Sequence, residues 1–253
     1  MLDSLKKIIK NAGTMILKAK EIHSHTKSGA RDIVTEWDYK VQDYVKTELA
    51  KLAPDASFLG EEGERENINK EKCFIVDPID GTMNFRSGIK KSACSIAYAE
   101  NAKVQIGLVY DPYLDELFYA ERGKGSYCNG DPLHALQGAM DKGITIFGTS
   151  PYDSKKTEST FKLAKLCYDN TLDLRRFGAA TLDFCYVASG RAVLFFEGSL
   201  CPWDFAAGSL IAEEQGIILR TWDNEPLDLF ERQSVVCGNP EAVEQWLRLY
   251  KSI

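Results

Sequence analysis

The run Asp77-Pro78-Ile79-Asp80-Gly81-Thr82 places two carboxylates three positions apart, directly after the apolar segment Phe74-Ile75-Val76. An apolar strand there delivers Asp77 at its end. Pro78 fixes one φ angle and removes one N–H, and Asp80-Gly81-Thr82 has the composition of a tight turn or a helix entry. Hard divalent cations take oxygen ligands, and backbone N–H groups at a helix start suit the oxygens of a phosphate. Both requirements meet in one loop. Taken by spacing alone, Asp80-Gly81 also reads as an ordinary turn and Asp77 as a strand-end cap.

Further carboxylates recur in similar settings. Glu61 and Glu62 follow the apolar step Phe58-Leu59-Gly60 and precede Gly63, where adjacent glutamates commonly form a solvated face. Asp204 lies in Cys201-Pro202-Trp203-Asp204-Phe205-Ala206-Ala207-Gly208, and the small residues after it favour a helix N-cap. Capping and metal ligation are compatible, since one carboxylate offers two oxygens.

The elements that must position these groups are legible from hydrophobic spacing. Leu5, Ile8, Ile9, Ala12, Ile16, Ala19 and Ile22 recur at helical intervals and predict an amphipathic first helix. A second helix is expected from Thr35, with Asp38 at capping-box spacing, through Val41, Val45, Leu49 and Leu52 to Pro54. Strand-like runs follow around Phe74–Val76, Ser95–Tyr98, Val104–Tyr110 and Glu116–Ala120, with Asn129-Gly130 as a turn signal. Strands in succession without helices between them predict an antiparallel or mixed sheet. Beyond about residue 140 strands and helices alternate: a strand near Ile144–Phe147, helices near Phe161–Tyr168 and Thr181–Ser189, a strand at Val193–Phe196, a helix at Phe205–Glu214, a strand at Ile217–Leu219, and a last helix from Pro240. No Pro/Gly/Ser-rich linker intervenes, so the expectation is one folding unit over 1–253, with lobes of about 1–140 and about 141–253.

A chain of 253 residues can bury a sizeable core without disulfides. Its charge of −6, from 31 Lys and Arg against 37 Asp and Glu, provides no chain-wide basic field, so no nucleic-acid partner is expected. A negative chain handling an anionic phosphate is paradoxical unless some carboxylates hold divalent ions, which invert the local field. The seven cysteines are scattered, with no CxxC pair, and read as reduced core residues. With no apolar leader and no run long enough to span a bilayer, a soluble, cytoplasmic protein without membrane association is expected.

In order along the chain, Gly60-Glu61-Glu62, then Val76 to Thr82, then Trp203-Asp204 ahead of Ala206-Ala207-Gly208 resemble the inositol monophosphatase family, and nearly the whole chain takes part. The resemblance implies a mixed α/β fold, a layered αβαβα sandwich with the metal site where the lobes meet, and a homodimer. It also implies Mg²⁺, two or three ions. Glu61, Asp77 and the Ile79 carbonyl would hold one, Asp77, Asp80 and Asp204 a second, and Glu61 would reach a third through water. The Gly81 and Thr82 amides would take the phosphate, and Asp38 would orient Thr82, a role that competes with its capping of Thr35. Lys27 matches a family lysine near the metals. Gly178 and Ala180, in Arg175-Arg176-Phe177-Gly178-Ala179-Ala180, would line the substrate pocket, and Glu197 would bind substrate hydroxyls unless it is an ordinary strand-end surface carboxylate. Met83, where the family usually has a second threonine, and Pro202 depart from the pattern without removing a ligand.

The expected reaction is hydrolysis of a small phosphorylated polyol or sugar, foremost inositol monophosphate, by metal-activated water. Glu61, Thr82 and Asp38 would be the catalytic group, and Li⁺ would inhibit. His23, His25, His134 and the cysteines lie outside the motifs, which argues against a phosphoenzyme. The alternatives are a sugar bisphosphatase, a 3′-phosphoadenosine 5′-phosphate phosphatase, and a non-catalytic partner in RNA or transcription complexes.

Overall fold

The computed structural model describes residues 1–26, 33–63, 68–151 and 153–253. Helix α1 (Leu2–Lys18) is followed by a short hairpin of β1 (Ser24–Thr26) and β2 (Ile33–Thr35), then by α2 (Glu36–Leu52). The first sheet contains β3 (Ser57–Gly60), β4 (Lys72–Asp80), β5 (Ala93–Glu100), β6 (Lys103–Asp111), β7 (Glu116–Glu121), β8 (Ser126–Cys128) and β9 (Asp131–Pro132), in that spatial order. Helix α3 (Thr82–Arg86) interrupts it after β4. Only β3 and β4 pair in parallel; the other neighbours are antiparallel, so the sheet is mixed as the strand succession suggests.

The second sheet is assembled from β10 (Thr145–Phe147), β11 (Leu174–Arg175), β12 (Leu194–Leu200), β13 (Ile218–Arg220) and β14 (Gln233–Gly238), ordered β11-β10-β12-β14-β13. Helices α4 (Thr157–Tyr168), α5 (Ala180–Ala188) and α6 (Pro202–Glu213) lie between these strands in sequence, and α7 (Pro240–Tyr250) follows β14.

Alternation along β4 decides the layering. Phe74 and Val76 face one way and pack with α1 and α2, together with Ile96, Ile106 and Leu108. Cys73 and Ile75 face the other way, toward α5 and α6, whose opposite sides meet Ile146, Phe195 and Val235 of the second sheet. The outer face of that sheet, with Phe196 and Val236, is covered by α4 and α7 through Leu163, Val243 and Trp246. The result is a five-layer αβαβα stack. Its inner helices are close-packed because the sequence supplies small residues. A Cβ at Gly107 of β6 would sit 2.6 Å from the Ala207 carbonyl oxygen, and one at Gly208 would sit 2.6 Å from the Phe184 Cβ.

Several boundaries differ from the sequence-based expectation. Helix α1 stops at Lys18 instead of continuing to Ile22; Ala19 is already extended, with ψ 125°. Three short strands precede Cys73 where only helices are expected, and β14, whose run is mostly polar at its start, is not signalled by alternation. Lys27 lies outside the described residues.

Candidate active site

Strand β4 does not end at Asp77: it runs on to Asp80, with its register against β5 shifting between these two residues. The irregularity at Pro78 turns both aspartates to one cavity of about 270 Å³, which Glu61, Gly81, Thr82, Gly178, Ala180, Glu197 and Asp204 also line. Every residue expected at the metal and substrate positions, Ile79 included, lines this one cavity. Asp38 reaches it through Thr82.

Each carboxylate is oriented by the backbone around it. Asp77 Oδ1 accepts from the N–H of Ile79 at 3.0 Å. Asp80 Oδ2 accepts from the N–H of Thr181 at 2.7 Å and from the Thr181 hydroxyl, so α5 holds a ligand that β4 carries. Asp204 is not an N-cap. Helix α6 begins at Pro202, Cys201 is the cap, and Asp204 is the third helical residue, its Oδ2 accepting from the Cys201 N–H at 2.7 Å. The proline at the first helical position, where no N–H is needed, starts the helix earlier than the small-residue run implies.

Electrostatics follow from this crowding. Burial, then Glu61, Asp80 and Asp204, hold the Asp77 carboxyl well above the ordinary carboxylate range. Burial, then Asp80 and Glu61, do the same to Asp204, and burial raises Asp80 despite its hydrogen bonds with Thr181. Among the described residues no Lys or Arg pairs with Asp77, Asp80 or Asp204. Like charges ~4 Å apart repel by about 4 kcal/mol at an effective dielectric of ~20, so such a group must take up protons or cations. A set of hard oxygen donors such as these three aspartates, unpaired with Lys or Arg among the described residues, fits a divalent ion such as Mg²⁺.

Asp38 fills both of its expected roles. Its Oδ2 accepts from the Thr35 N–H at 2.8 Å, completing the capping box of α2, while Oδ1 accepts from Thr82 Oγ1 at 3.1 Å. Thr82 Oγ1 also lies 3.0 Å from the Ile79 carbonyl. Glu62 does not line the cavity. Gln42 grips its backbone in both directions, donating to its carbonyl at 2.6 Å and accepting from its N–H at 3.0 Å, and its carboxylate approaches those of Asp38 and Glu61 to within 4.8 Å.

On the substrate side, Glu197 is not a strand-end surface residue. It sits within β12, is buried, and accepts from the Ser150 N–H at 2.8 Å and hydroxyl at 3.1 Å. Burial pushes its carboxyl up to about 7 although Ser150 and the nearby Arg176 oppose the shift. Gly148 gives Glu197 its room, since a Cβ there would overlap the carboxylate. Arg176 is the one cationic side chain lining the cavity among the described residues, and it donates to Thr149 Oγ1 at 3.3 Å.

Three contributors escaped the sequence reading, Gly148, Ser150 and Thr181, while Arg176 was named there only as part of the stretch around Gly178 and Ala180. A threonine just inside a helix after Gly-Ala-Ala was the only local signal for Thr181. Ser150 has none, for it acts on a residue 47 positions away. Asp183 was also missed; it is buried in α5, its Oδ1 lacks a partner, and burial, then Asp80 and Glu197, keep its carboxyl well above the usual range.

The profile of the family described as "Inositol monophosphatase family" matches residues 1–252. A protein named "Nus factor SuhB" from Vibrio cholerae is 34% identical over 259 residues, covering 98% of this chain and 94% of that protein. "Inositol-1-monophosphatase" of Bacillus subtilis is 33% identical over 240 residues, covering 93% and 90%. A crystal structure of an IMPase/NADP phosphatase complexed with Mg²⁺ and phosphate superimposes with a TM-score of 0.85 at 26% identity, covering 97% of this chain and 91% of that one.

Proposed function

The chain belongs to the inositol monophosphatase family, a family of phosphatases, and from that premise we propose that it is a Mg²⁺-dependent hydrolase of inositol monophosphate. The observation that carries this reading is the group of Asp77, Asp80, Asp204 and Glu61 beside the Gly81-Thr82 turn, crowded with carboxyl oxygens and, among the described residues, without a side-chain cation paired to its three aspartates.

Glu61, Asp77 and the Ile79 carbonyl would hold one ion, and Asp77, Asp80 and Asp204 a second; a third ion would be reached by Glu61. When bound, such ions neutralise phosphate charge, make water acidic enough to attack near neutral pH and stabilise the leaving oxygen. The chain's own residues do the positioning. Thr82 spends its single hydroxyl proton on Asp38 or on the Ile79 carbonyl, which leaves Oγ1 lone pairs to accept a proton of the attacking water. The amides of Gly81 and Thr82, at the entry to α3, suit the phosphoryl oxygens. Glu197, when ionised, would accept from hydroxyls of the polyol, and Gly178 and Ala180 line the same cavity.

Phosphate release from inositol 1-phosphate, fructose 1,6-bisphosphate and 3′-phosphoadenosine 5′-phosphate tests this reading. Inositol 1-phosphate should give the highest kcat/KM, EDTA should abolish turnover and Li⁺ should inhibit it. Turnover unaffected by EDTA would count against the metal, and a faster bisphosphate would move the assignment to that class.

Relatives named Nus factor SuhB motivate a second reading, a role in transcription complexes beside hydrolysis. An Asp77→Asn chain that is inactive yet still binds RNA polymerase or RNA would support it. A homodimer and a cytoplasmic location belong to the same proposal. All seven cysteines are unpaired, as a reducing compartment favours, and sedimentation would test the dimer. Among the described residues no helix is long and apolar enough to cross a membrane.

A further inference from the structure

A second cavity, of about 290 Å³, runs along α6 toward the end opposite Asp204. Phe205 and Glu213, eight positions apart and therefore on one helix face, form one wall. Leu229, in the loop after β13, closes the apolar side, and Lys103, Arg122 and Arg220 bring three cations to the same space.

These cations are not equivalent. Arg122 is consumed by the protein: Nε donates to the Val104 carbonyl at 2.6 Å and Nη2 pairs with Glu213 at 3.0 Å. That pairing also neutralises the one carboxylate that lines the cavity among the described residues. Arg220 is half-buried, and its one protein partner among the described residues is the carbonyl of Leu219, at 2.8 Å. A guanidinium carries five N–H donors, so most of those of Arg220 are unspent. Lys103 makes no ion pair among the described residues. In a chain with more acids than bases, two cations without an ion-pair partner among the described residues share one cavity with Phe205 and Leu229.

We propose that this cavity is a binding site for a small anion, a carboxylate or phosphate borne on an apolar group. The anion would take the Arg220 fork and the Lys103 ammonium, and the apolar body would lie against Phe205 and Leu229. The proposal is independent of the phosphatase reading, because none of these residues lines the carboxylate cavity.

Methyl NMR of Leu229, titrated separately with benzoate, phenylphosphonate and the isosteric neutral benzamide, tests it. Saturable shifts of Leu229 are expected with the two anions, at least about tenfold weaker with benzamide, and weakened by a similar factor in Arg220→Gln and Lys103→Gln. Absence of a saturable Leu229 shift would overturn the site. Equal binding of benzamide would overturn its anion preference, and unchanged benzoate affinity in both variants would remove the cations from it. The benzoate-to-benzamide ratio in the unmodified protein keeps the test decisive should a variant fold poorly.

Discussion

Asp38 divides its two oxygens between the fold and the site, Oδ1 receiving the Thr82 hydroxyl at 3.1 Å while Oδ2 caps α2 at Thr35. The two functions can therefore be separated by mutation. Thr35→Ala should cost about 1 kcal/mol of stability, the usual value of a lost cap, with kcat nearly unchanged. Thr82→Val should leave the unfolding midpoint close to that of the parent and lower kcat on the order of 10²-fold. Thr82→Ser, which restores the hydroxyl, should recover most of the loss. Denaturation curves and steady-state kinetics on the three variants check this.

Asn84 joins the two halves of the site. Its amide nitrogen lies 2.8 Å from the Lys91 carbonyl, 2.7 Å from that of Phe177 and 3.3 Å from that of Gly178. Gly81 lies in the same contact, since its φ is +79° and a Cβ there would come within 3.0 Å of the Gly178 and Lys91 oxygens. Replacing the donor by Ala leaves buried carbonyls unsatisfied, at about 1–3 kcal/mol each. Asn84→Asp, of the same shape but acceptor-only when ionised, should be at least as damaging. Both should raise KM as well as destabilise; unaltered urea midpoints would contradict the role assigned to Asn84.

The raised carboxyls of Asp77, Asp80 and Asp204 fix the sign of the pH response. Groups whose folded pKa lies above the unfolded value stabilise most at low pH and lose that contribution as pH rises through the folded pKa. Metal-free protein should therefore lose stability from these groups as pH rises, and Mg²⁺, which competes with protons, should raise Tm more at about pH 8 than at about pH 5.5. Asp77→Asn should abolish most of the Mg²⁺ effect and all but a trace of phosphatase activity. Without metal at alkaline pH it should melt above the parent, because one repelling carboxylate is gone.

Glu197, with its carboxyl near 7 instead of the ordinary 4.5, obeys the same rule. Its stabilising contribution is complete below about pH 4.5 and is lost as pH rises through about 7, amounting to on the order of 3 kcal/mol. Metal-free Glu197→Gln should thus gain on the parent between those limits, as paired chemical denaturations would measure. The parent's KM for inositol 1-phosphate should rise below about pH 7 as the carboxylate is protonated. Gly148→Ala, which pushes a methyl into the carboxylate, should raise KM at every pH and leave the Mg²⁺ shift in Tm in place.

The sequence by itself determined the order of the acidic motifs, the capping box at Thr35, the mixed first sheet and the cores of most helices. These are local matters: side-chain period, turn chemistry and the fixed φ of proline act within a few residues. Local logic also set its limits. It placed Asp204 at a cap and Glu197 at a strand end, because neither the early start of α6 at Pro202 nor the pairing of β12 with β14 is written in their neighbours. Only the tertiary structure decided that Thr181 clamps Asp80 across 101 positions, that Ser150 and Gly148 shape the pocket of Glu197, and that Asn84 ties Lys91 to Phe177 and Gly178. Those contacts exist because two sheets pack on the shared helices α5 and α6. Burial then couples separate acidic residues into one site whose carboxyls are held above the ordinary range.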